Sequence, residues 1–315
     1  MDEEVSQHVS IGDIICESCE AAAARARGDE KWIVPPWKRM EWLVGGSMRP
    51  GLWVHASGSG TGKTQFAMEL AINAAANGSS VYWFDLENGS EVTGSRVVGL
   101  LNNIPWGMVL RGKTPDWYDG NIEDAQYRAM MQAKDLDIRF CITSPGEFSE
   151  LELNMAMQDL KTRSRSNPAL IVIDYVQIAA LGFGEGEMRT KVASLVANLR
   201  RASNDHGVLV WAISSVAREK WMGLVNGMKE GRGGASPLME PFRTPAAIFM
   251  GVGAESSGIE FSADAVITSL PGKRIFNGSK IVPMALAKQR DGMDGWMNFE
   301  FDGLRFHEIE VPHAR

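Results

Sequence analysis

Residues 57–64 have the composition and spacing that phosphate binding requires. The run is rich in glycine, ends in Gly62-Lys63-Thr64, and lies between an apolar segment and a helical segment at residues 65–75. Glycines let backbone N–H groups turn towards phosphate oxygens, and the N-terminus of the helix adds its positive end. Lys63 can then reach the β- and γ-phosphates, and the Thr64 hydroxyl can bind Mg²⁺. We therefore predict a phosphate-binding loop with ATP and Mg²⁺ as its ligands.

One position departs from the strict pattern of such loops, because Ser57 stands where the first glycine is expected. A plain glycine turn is the alternative, but it leaves the Lys-Thr pair unexplained. The residues predicted to contact the nucleotide through the loop are Gly58, Ser59, Gly60, Thr61, Gly62, Lys63, Thr64 and Gln65.

Carboxylates that follow two other apolar segments could complete the chemistry. Asp174 comes directly after four apolar residues, so we expect it at the C-terminal edge of a sheet, where ligands collect. Thr64 and Asp174 are the predicted Mg²⁺ ligands, and capping of a helix is the alternative role for Asp174. Glu87 follows a further predicted strand and is the candidate that orients and polarises the attacking water, since phosphoryl transfer depends on positioning. Asp85 competes with Glu87 for this role.

The elements that must position these residues alternate along the chain. Predicted strands separated by helical segments lie at residues 52–56, 81–85, 138–142, 169–173, 208–213 and 265–270. Nearly continuous apolar runs are typical of strands buried on both faces, so we predict an α/β fold with a mostly parallel twisted sheet flanked by helices. Further strands at residues 281–287, 296–301 and 304–307 lack intervening helices, which indicates an antiparallel C-terminal extension. Residues 220–245 are predicted to form a long mobile loop.

Ahead of this sheet, residues 10–26 carry apolar side chains at helical spacing. We predict an amphipathic helix, followed by an extended segment at residues 34–36, because proline disfavours helix at the residue before it. The helix could bury its apolar side on its own domain or on a neighbouring subunit. Cys16 and Cys19 lie in this helix, and a zinc or redox pair is the less favoured interpretation because structural zinc needs four ligands.

Composition restricts the class of protein. The 315 residues are 44% hydrophobic, which is ample for a buried core, and three cysteines argue against a disulfide framework. The acidic N-terminus is unlike a secretory signal and no apolar run is long enough to cross a bilayer, so we expect a cytoplasmic protein without a membrane partner. The net charge of −7 argues against nucleic-acid binding, although a ring can concentrate positive charge in a narrow channel.

The motifs resemble, in the same order, those of the C-terminal ATPase domain of DnaB-like replicative helicases, a RecA-like P-loop NTPase. Residues 45–52 are similar to the family's segment ahead of the loop, and residues 85–88 resemble its Ser-Leu-Glu-Met, whose glutamate is catalytic. Residues 173–177 are the most specific match, because they resemble the family's Asp-Tyr-Leu-Gln. The resemblance implies a stand-alone form of this domain, with an N-terminal linker or oligomerisation helix at residues 1–30 and a RecA-like ATPase domain at residues 31–315.

The resemblance also implies residues that act between subunits. Residues 287–292 are similar to the family's Lys-x-Arg-x-Gly, whose two cations reach the γ-phosphate bound by the next subunit. Lys288 and Arg290 would then join Lys63 and Glu87 as catalytic residues, and the protein would assemble with itself into a hexameric ring. The alternative is that both are exposed basic residues without a role.

Two positions depart from the family. Ser215, which we place at the nucleotide, stands where the family has a glutamine that senses the γ-phosphate, and Ala254 replaces an arginine of the channel loop. The residues that could still contact single-stranded DNA are Glu255, Ser257, Gly258, Lys229 and Arg232. The implied function is an ATP-hydrolysing ring motor that translocates 5′ to 3′ on single-stranded DNA and unwinds duplex. The alternative, a RecA-like ATPase switch that controls a protein partner, is favoured by the acidic charge and by Ala254.

Overall fold

Ten strands form one sheet in the part of the chain that the computed structural model describes. That part comprises residues 9–144, 146–164, 167–216, 262–276 and 278–309, with Trp221, Gly223, Ala246 and Ile259. The strands are β1 Gly51–Ser57, β2 Ser80–Asp85, β3 Ile138–Ile142, β4 Ala169–Asp174, β5 Leu209–Ser215, β6 Ala265–Ser269, β7 Lys273–Arg274, β8 Lys280–Gln289, β9 Gly295–Phe301 and β10 Phe306–Glu308.

The strands follow the order β10, β9, β8, β6, β1, β5, β4, β2, β3 across the sheet, and β7 pairs with β8. All pairs from β6 to β3 are parallel, whereas the pairs that involve β7 to β10 are antiparallel. Every residue of β1, β4 and β6 is buried, as expected for strands covered on both faces. The predicted α/β fold, its mostly parallel sheet and its antiparallel C-terminal extension are therefore confirmed.

Some predicted strand ends are wrong. Val208, Leu270 and Leu304 lie just outside the strands to which the apolar pattern assigned them. All three side chains are buried, so their hydrophobicity continues the pattern beyond the last paired residue. The short strand β7 was not predicted, because both of its residues are exposed and polar.

Helices connect the strands and cover the sheet. In the described residues they are α1 Ile11–Arg27, α2 Lys38–Leu43, α3 Lys63–Ala76, α4 Gly89–Asn102, α5 Trp106–Val109, α6 Ile122–Ala133, α7 Glu150–Ser164, α8 Val176–Ala179 and α9 Met188–His206. Two hydrophobic clusters lie on the two faces of the sheet, one formed with α2 and α3 and the other with α7, α8 and α9. The strands are therefore held in place by apolar packing from both sides.

Helix α1 begins after Ser10, whose side chain accepts the N–H of Asp13 at 3.2 Å, and it ends at Gly28 with a φ of 78°. The structure thus contains the helix that we predicted at residues 10–26, shifted by one residue. No residue of α1 is buried, and Ile11 is 79% exposed. Its apolar side is therefore not buried against any other part of the chain that the structure describes.

Trp37 joins three distant parts of the sequence. Its ring stacks on Phe66 of α3 with 3.7 Å between ring centroids, and its indole N–H donates to the carbonyl of Phe306 at 3.2 Å. The residue is 4% exposed. The segment ahead of β1 is therefore fixed to the helix that follows the phosphate loop and to the last strand.

We predict that Trp37→Ala lowers the free energy of unfolding by about 3–5 kcal/mol, because a large buried ring leaves a cavity. Urea unfolding followed by far-ultraviolet circular dichroism measures this change. Trp42→Ala is the matched control, since Trp42 is 54% exposed and its loss is expected to cost less than about 1 kcal/mol. Equal effects of the two substitutions would contradict the prediction.

Candidate active site

Parallel pairing brings the ends of four strands to one edge of the sheet. Ser57 at the end of β1 lies opposite Ser215 at the end of β5, and Asp85 at the end of β2 lies opposite Asp174 at the end of β4. These strands are neighbours in the order β1, β5, β4, β2. Ligands of open α/β sheets bind outside the carboxyl ends of the strands. The candidate site therefore lies at this edge.

The glycine-rich loop leads from β1 directly into α3. Gly62 has a φ of 93°, and a Cβ atom there would lie 2.7 Å from the ring of Phe306. Glycine is thus needed both for the backbone conformation and for the close approach of the C-terminal strands. Lys63 and Thr64 then occupy the first turn of α3, where backbone N–H groups point out of the helix. This is the geometry of an anion site.

The Lys63 ammonium lies over the loop, where Nζ donates to the carbonyls of Ser57 and Gly58 at 3.0 Å each. Burial lowers the pKa of Lys63 to about 8, while the nearby carboxylates of Asp174 and Glu87 act in the opposite direction. The loop therefore holds a partly desolvated cation beside two carboxylates.

Asp174 and Thr64 meet as the sequence predicted for a metal site. Asp174 is 1% exposed, and the Thr64 hydroxyl is near enough to its carboxylate to lower its pKa. The pKa of Asp174 is raised to about 7, mainly by burial and also by the carboxylates of Glu87 and Asp85, while the Thr64 hydroxyl acts in the opposite direction. A carboxylate and a hydroxyl are ligands that suit Mg²⁺, and a bound cation would favour the ionised carboxylate. The residues present therefore fit this metal.

The two candidates for activating water have different environments. The carboxylate of Asp85 is buried and accepts the backbone N–H of Asn88 at 2.8 Å, the N–H of Glu87 at 3.2 Å and the Thr93 hydroxyl. Glu87 is exposed and lines the cleft beside the loop. Asp85 thus holds the turn that presents Glu87, and the geometry favours Glu87 over Asp85 as the residue that meets a water molecule.

A cleft of about 440 Å³ connects these groups. Of the predicted residues, those that line it are Ser59, Gly60, Gly62, Lys63, Thr64, Gln65, Glu87, Asp174 and Ser215. Gly58 and Thr61 are instead buried within the loop, where the Thr61 hydroxyl donates to the carbonyl of Gly58 at 3.1 Å. Within the described residues, both polar atoms of the buried Gln65 side chain lack a hydrogen-bond partner, as expected if a ligand supplies one.

Sequence reasoning missed several residues of the cleft. Arg96 of α4 and Trp106 of α5 form one wall, with the guanidinium 5.0 Å from the ring centroid. Within the described part of the chain, the buried Nε of Arg96 has no hydrogen-bond partner. Phe301 forms another part of the lining. None of these side chains belongs to a motif, so only the three-dimensional structure identifies them.

Ser215 is connected to the metal side of the cleft through Gln177. The backbone N–H of Ser215 donates to Oε1 of Gln177 at 3.2 Å, and Nε2 of Gln177 donates to the Ser214 hydroxyl at 3.0 Å. Gln177 follows Asp174 by three residues and lies in α8. A glutamine therefore bridges β4 and β5 even though residue 215 itself is a serine.

Lys288 and Arg290 do not line this cleft. Lys288 lies in β8 opposite Val266, and Arg290 follows β8 and pairs with Asp264 at 3.2 Å.

The predicted DNA contacts, Glu255, Ser257, Gly258, Lys229 and Arg232, lie outside the described residues, as does most of the predicted loop at residues 220–245. None of the helices in the described ranges combines the length and the hydrophobicity that a membrane span requires.

Sequence comparison decides the family. The sequence model of the DnaB-like helicase C terminal domain matches residues 35–308. This chain belongs to that family. Replicative DNA helicase DnaC of Bacillus subtilis (strain 168) is 23% identical over 286 residues, which cover 87% of this chain and 56% of the relative. Replicative DNA helicase DnaB of Geobacillus stearothermophilus is 24% identical over 307 residues, which cover 90% of this chain and 60% of the relative.

The chain thus spans little more than half the length of these helicases. A solved ATPase domain has a TM-score of 0.72 at 19% identity, and the match covers 96% of this chain and 100% of that one. A DnaB-like replicative helicase, solved in a study of its interactions with primase, also has a TM-score of 0.72, at 18% identity, with coverage of 97% and 68%. The fold is that of RecA-like ATPase domains. Family membership favours a helicase-like ATPase over a switch that controls a protein partner.

We predict that Asp174→Asn stabilises the ligand-free protein at pH 8, on the order of 2–4 kcal/mol. The folded pKa of about 7 exceeds the ordinary value of 3.8, so ionisation of Asp174 destabilises the fold as the pH rises between these values. An amide avoids this cost, and its advantage should disappear towards pH 4. Urea unfolding at several pH values, without nucleotide or Mg²⁺, measures the difference.

Asp302→Asn is the control with the opposite sign. Burial raises the pKa of Asp302, but the backbone N–H groups of Arg305 and Leu304 outweigh it and hold the pKa below its ordinary value. Its carboxylate therefore stabilises the fold near neutral pH, and the contribution is lost as the pH falls through the folded pKa. Destabilisation by Asp174→Asn at pH 8 would contradict the assignment of a costly buried charge.

Proposed function

We propose that this chain is an ATP-hydrolysing ring motor that translocates 5′ to 3′ on single-stranded DNA. The observation that carries the proposal is the convergence of Lys63, Thr64, Glu87 and Asp174 on one cleft, in a chain that belongs to a helicase domain family. Phosphoryl transfer needs positioned charge more than covalent assistance, and these four side chains supply it.

Each residue has a separate task in this proposal. The N–H groups at the start of α3 and the Lys63 ammonium bind the β- and γ-phosphates. Thr64 and Asp174 would hold Mg²⁺, which would neutralise negative charge on the phosphate oxygens. Glu87 accepts a proton from the attacking water and orients it, while Asp85 keeps Glu87 in place through the backbone of the turn.

The reaction is completed by a neighbouring subunit. Lys288 and Arg290 lie away from the cleft of their own chain, which supports action on the γ-phosphate bound next door. Such an arrangement requires a closed homo-oligomer, which we propose to be a hexamer. The unburied apolar side of α1 is consistent with docking on an adjacent subunit, as proposed for residues 1–30.

We expect single-stranded DNA to raise the steady-state ATPase rate several-fold, because translocation couples hydrolysis to movement along the strand. Binding should weaken steeply with salt, since phosphate contacts release counterions. The rate is measured with and without an oligonucleotide at several ionic strengths. An unstimulated rate together with DNA binding that does not depend on salt would remove the motor function and leave an ATPase of another kind.

Two variants should affect nucleotide binding and ATP turnover separately. Lys63→Ala is expected to abolish tight nucleotide binding, because the loop loses its cation. Glu87→Gln should bind ATP normally but turn it over at least about a hundredfold more slowly, since it cannot accept the proton. Equilibrium binding of a fluorescent ATP analogue and single-turnover hydrolysis measure the two properties.

Glu147→Gln is the matched control for Glu87→Gln. Glu147 lies near the same edge of the sheet but outside the main cleft, where it accepts the Thr143 hydroxyl at 3.1 Å. Its substitution should leave turnover unchanged. A comparable loss in both variants would show that negative charge anywhere at this edge supports hydrolysis, and not a specific contact of Glu87 with water.

A further inference from the structure

Asp264 holds Arg290 through both its side chain and its backbone. Oδ1 of Asp264 lies 3.2 Å from Nε of Arg290, and the Asp264 carbonyl accepts the Arg290 N–H at 3.1 Å. Arg200 of α9 lies farther from the same carboxylate, at 3.9 Å. The Arg290 side chain is 42% exposed. Arg290 is therefore held at its backbone N–H and at Nε, while its side chain remains partly exposed to solvent.

The second carboxylate oxygen of Asp264 contacts the strand that leads to the phosphate loop. Oδ2 accepts the N–H of Leu52 at 2.9 Å, at the start of β1. Gly51 makes room for this contact, because a Cβ atom there would lie 2.8 Å from Oδ2, and its φ of 147° also disfavours a side chain. One carboxylate thus connects Arg290 to the strand that ends at the loop of its own subunit.

The chemistry of the guanidinium explains why contact at Nε matters. Its five N–H donors form a rigid planar fork, and phosphate is bound best by two of them in parallel. A carboxylate that occupies Nε leaves the two terminal nitrogens for the phosphate and fixes the direction in which they point. An unrestrained arginine would have to be ordered at every encounter, and errors of about 1 Å in position can cost about a hundredfold in rate.

We propose that Asp264 is a positioning residue that orients Arg290 for the nucleotide bound by the neighbouring subunit. This role rests on the proposed action of Arg290 between subunits. Asp264 touches no nucleotide itself. Through Leu52 it also links the direction of Arg290 to β1, so the position of the arginine follows the position of its own subunit's loop.

Mixed assemblies test this role. Asp264→Asn keeps an acceptor for Leu52 but loses the charge that holds Arg290. Alone, it should bind nucleotide as the wild type does, with kcat lowered about tenfold to a hundredfold. Mixed with Lys63→Ala subunits, it should regain activity, because its intact loops then meet intact arginines at about a quarter of the interfaces in an equimolar random ring.

Arg290→Ala mixed with Lys63→Ala is the reference for this experiment. Rescue of Arg290→Ala but not of Asp264→Asn would show that Asp264 supports the nucleotide site of its own subunit. This result would overturn the inference about Asp264 and leave the proposed function intact. Failure to rescue either variant would remove the action between subunits and the proposed ring mechanism with it. Unchanged kcat in Asp264→Asn would also overturn the role.

Two further variants distinguish a specific effect of Asp264 on Arg290 from a general effect on the segment that contains Arg290. Asp291→Asn removes a carboxylate from the segment after β8 that contains Arg290, where it pairs with Arg49 at 2.9 Å, and should leave kcat unchanged. An equal loss there would assign the effect to the segment and not to Asp264. Arg290→Lys keeps the charge but lacks the fork and its Nε contact, so it should be as slow as Asp264→Asn or slower. Full activity in Arg290→Lys would overturn the inference even if Asp264→Asn fails to fold.

Discussion

The parallel register of β1, β5, β4 and β2 is the constraint on which the site depends. This register places Ser57 opposite Ser215 and Asp85 opposite Asp174. A slip by one residue would turn each of these side chains to the other face. Apolar packing on both faces fixes the register, since the clusters on the two sides of the sheet contain most of the strand residues. Hydrophobic burial therefore sets the positions of the polar groups.

Burial also makes it costly to charge the ionisable groups of the cleft. It lowers the pKa of Lys63 to about 8 and raises the pKa of Asp174 to about 7, so each group becomes harder to charge. A triphosphate and a divalent cation would compensate the two charges together. The ligand-free cleft is thus less stable than a neutral one would be, which is a usual cost of a functional site.

The sequence predicts the parts of the site that local chemistry defines. The loop at residues 57–64, Asp174 and Glu87 each follow an apolar strand directly, so topology alone brings them to one edge. Arg96, Trp106 and Phe301 escaped prediction because they approach the cleft from helices and strands that contact it only in the folded chain. The same holds for Asp264, whose contact with Arg290 depends on the pairing of β6 with β8. Strand ends were misplaced where buried residues such as Val208 continue an apolar pattern beyond the pairing.

The packing of the last strands under the phosphate loop limits how this fold can diverge. Phe301 and Phe306 stack with 4.4 Å between their centroids directly beneath Gly62, and Lys280 donates to the carbonyl of Gly60 at 2.9 Å. The hairpin of β9 and β10, together with Lys280 of β8, is therefore not an interchangeable module, although β9 and β10 contain no nucleotide-binding motif. A chimaera that inherits its loop from one homologue and its tail from another would need matching aromatic residues, so these two distant stretches are expected to have evolved together.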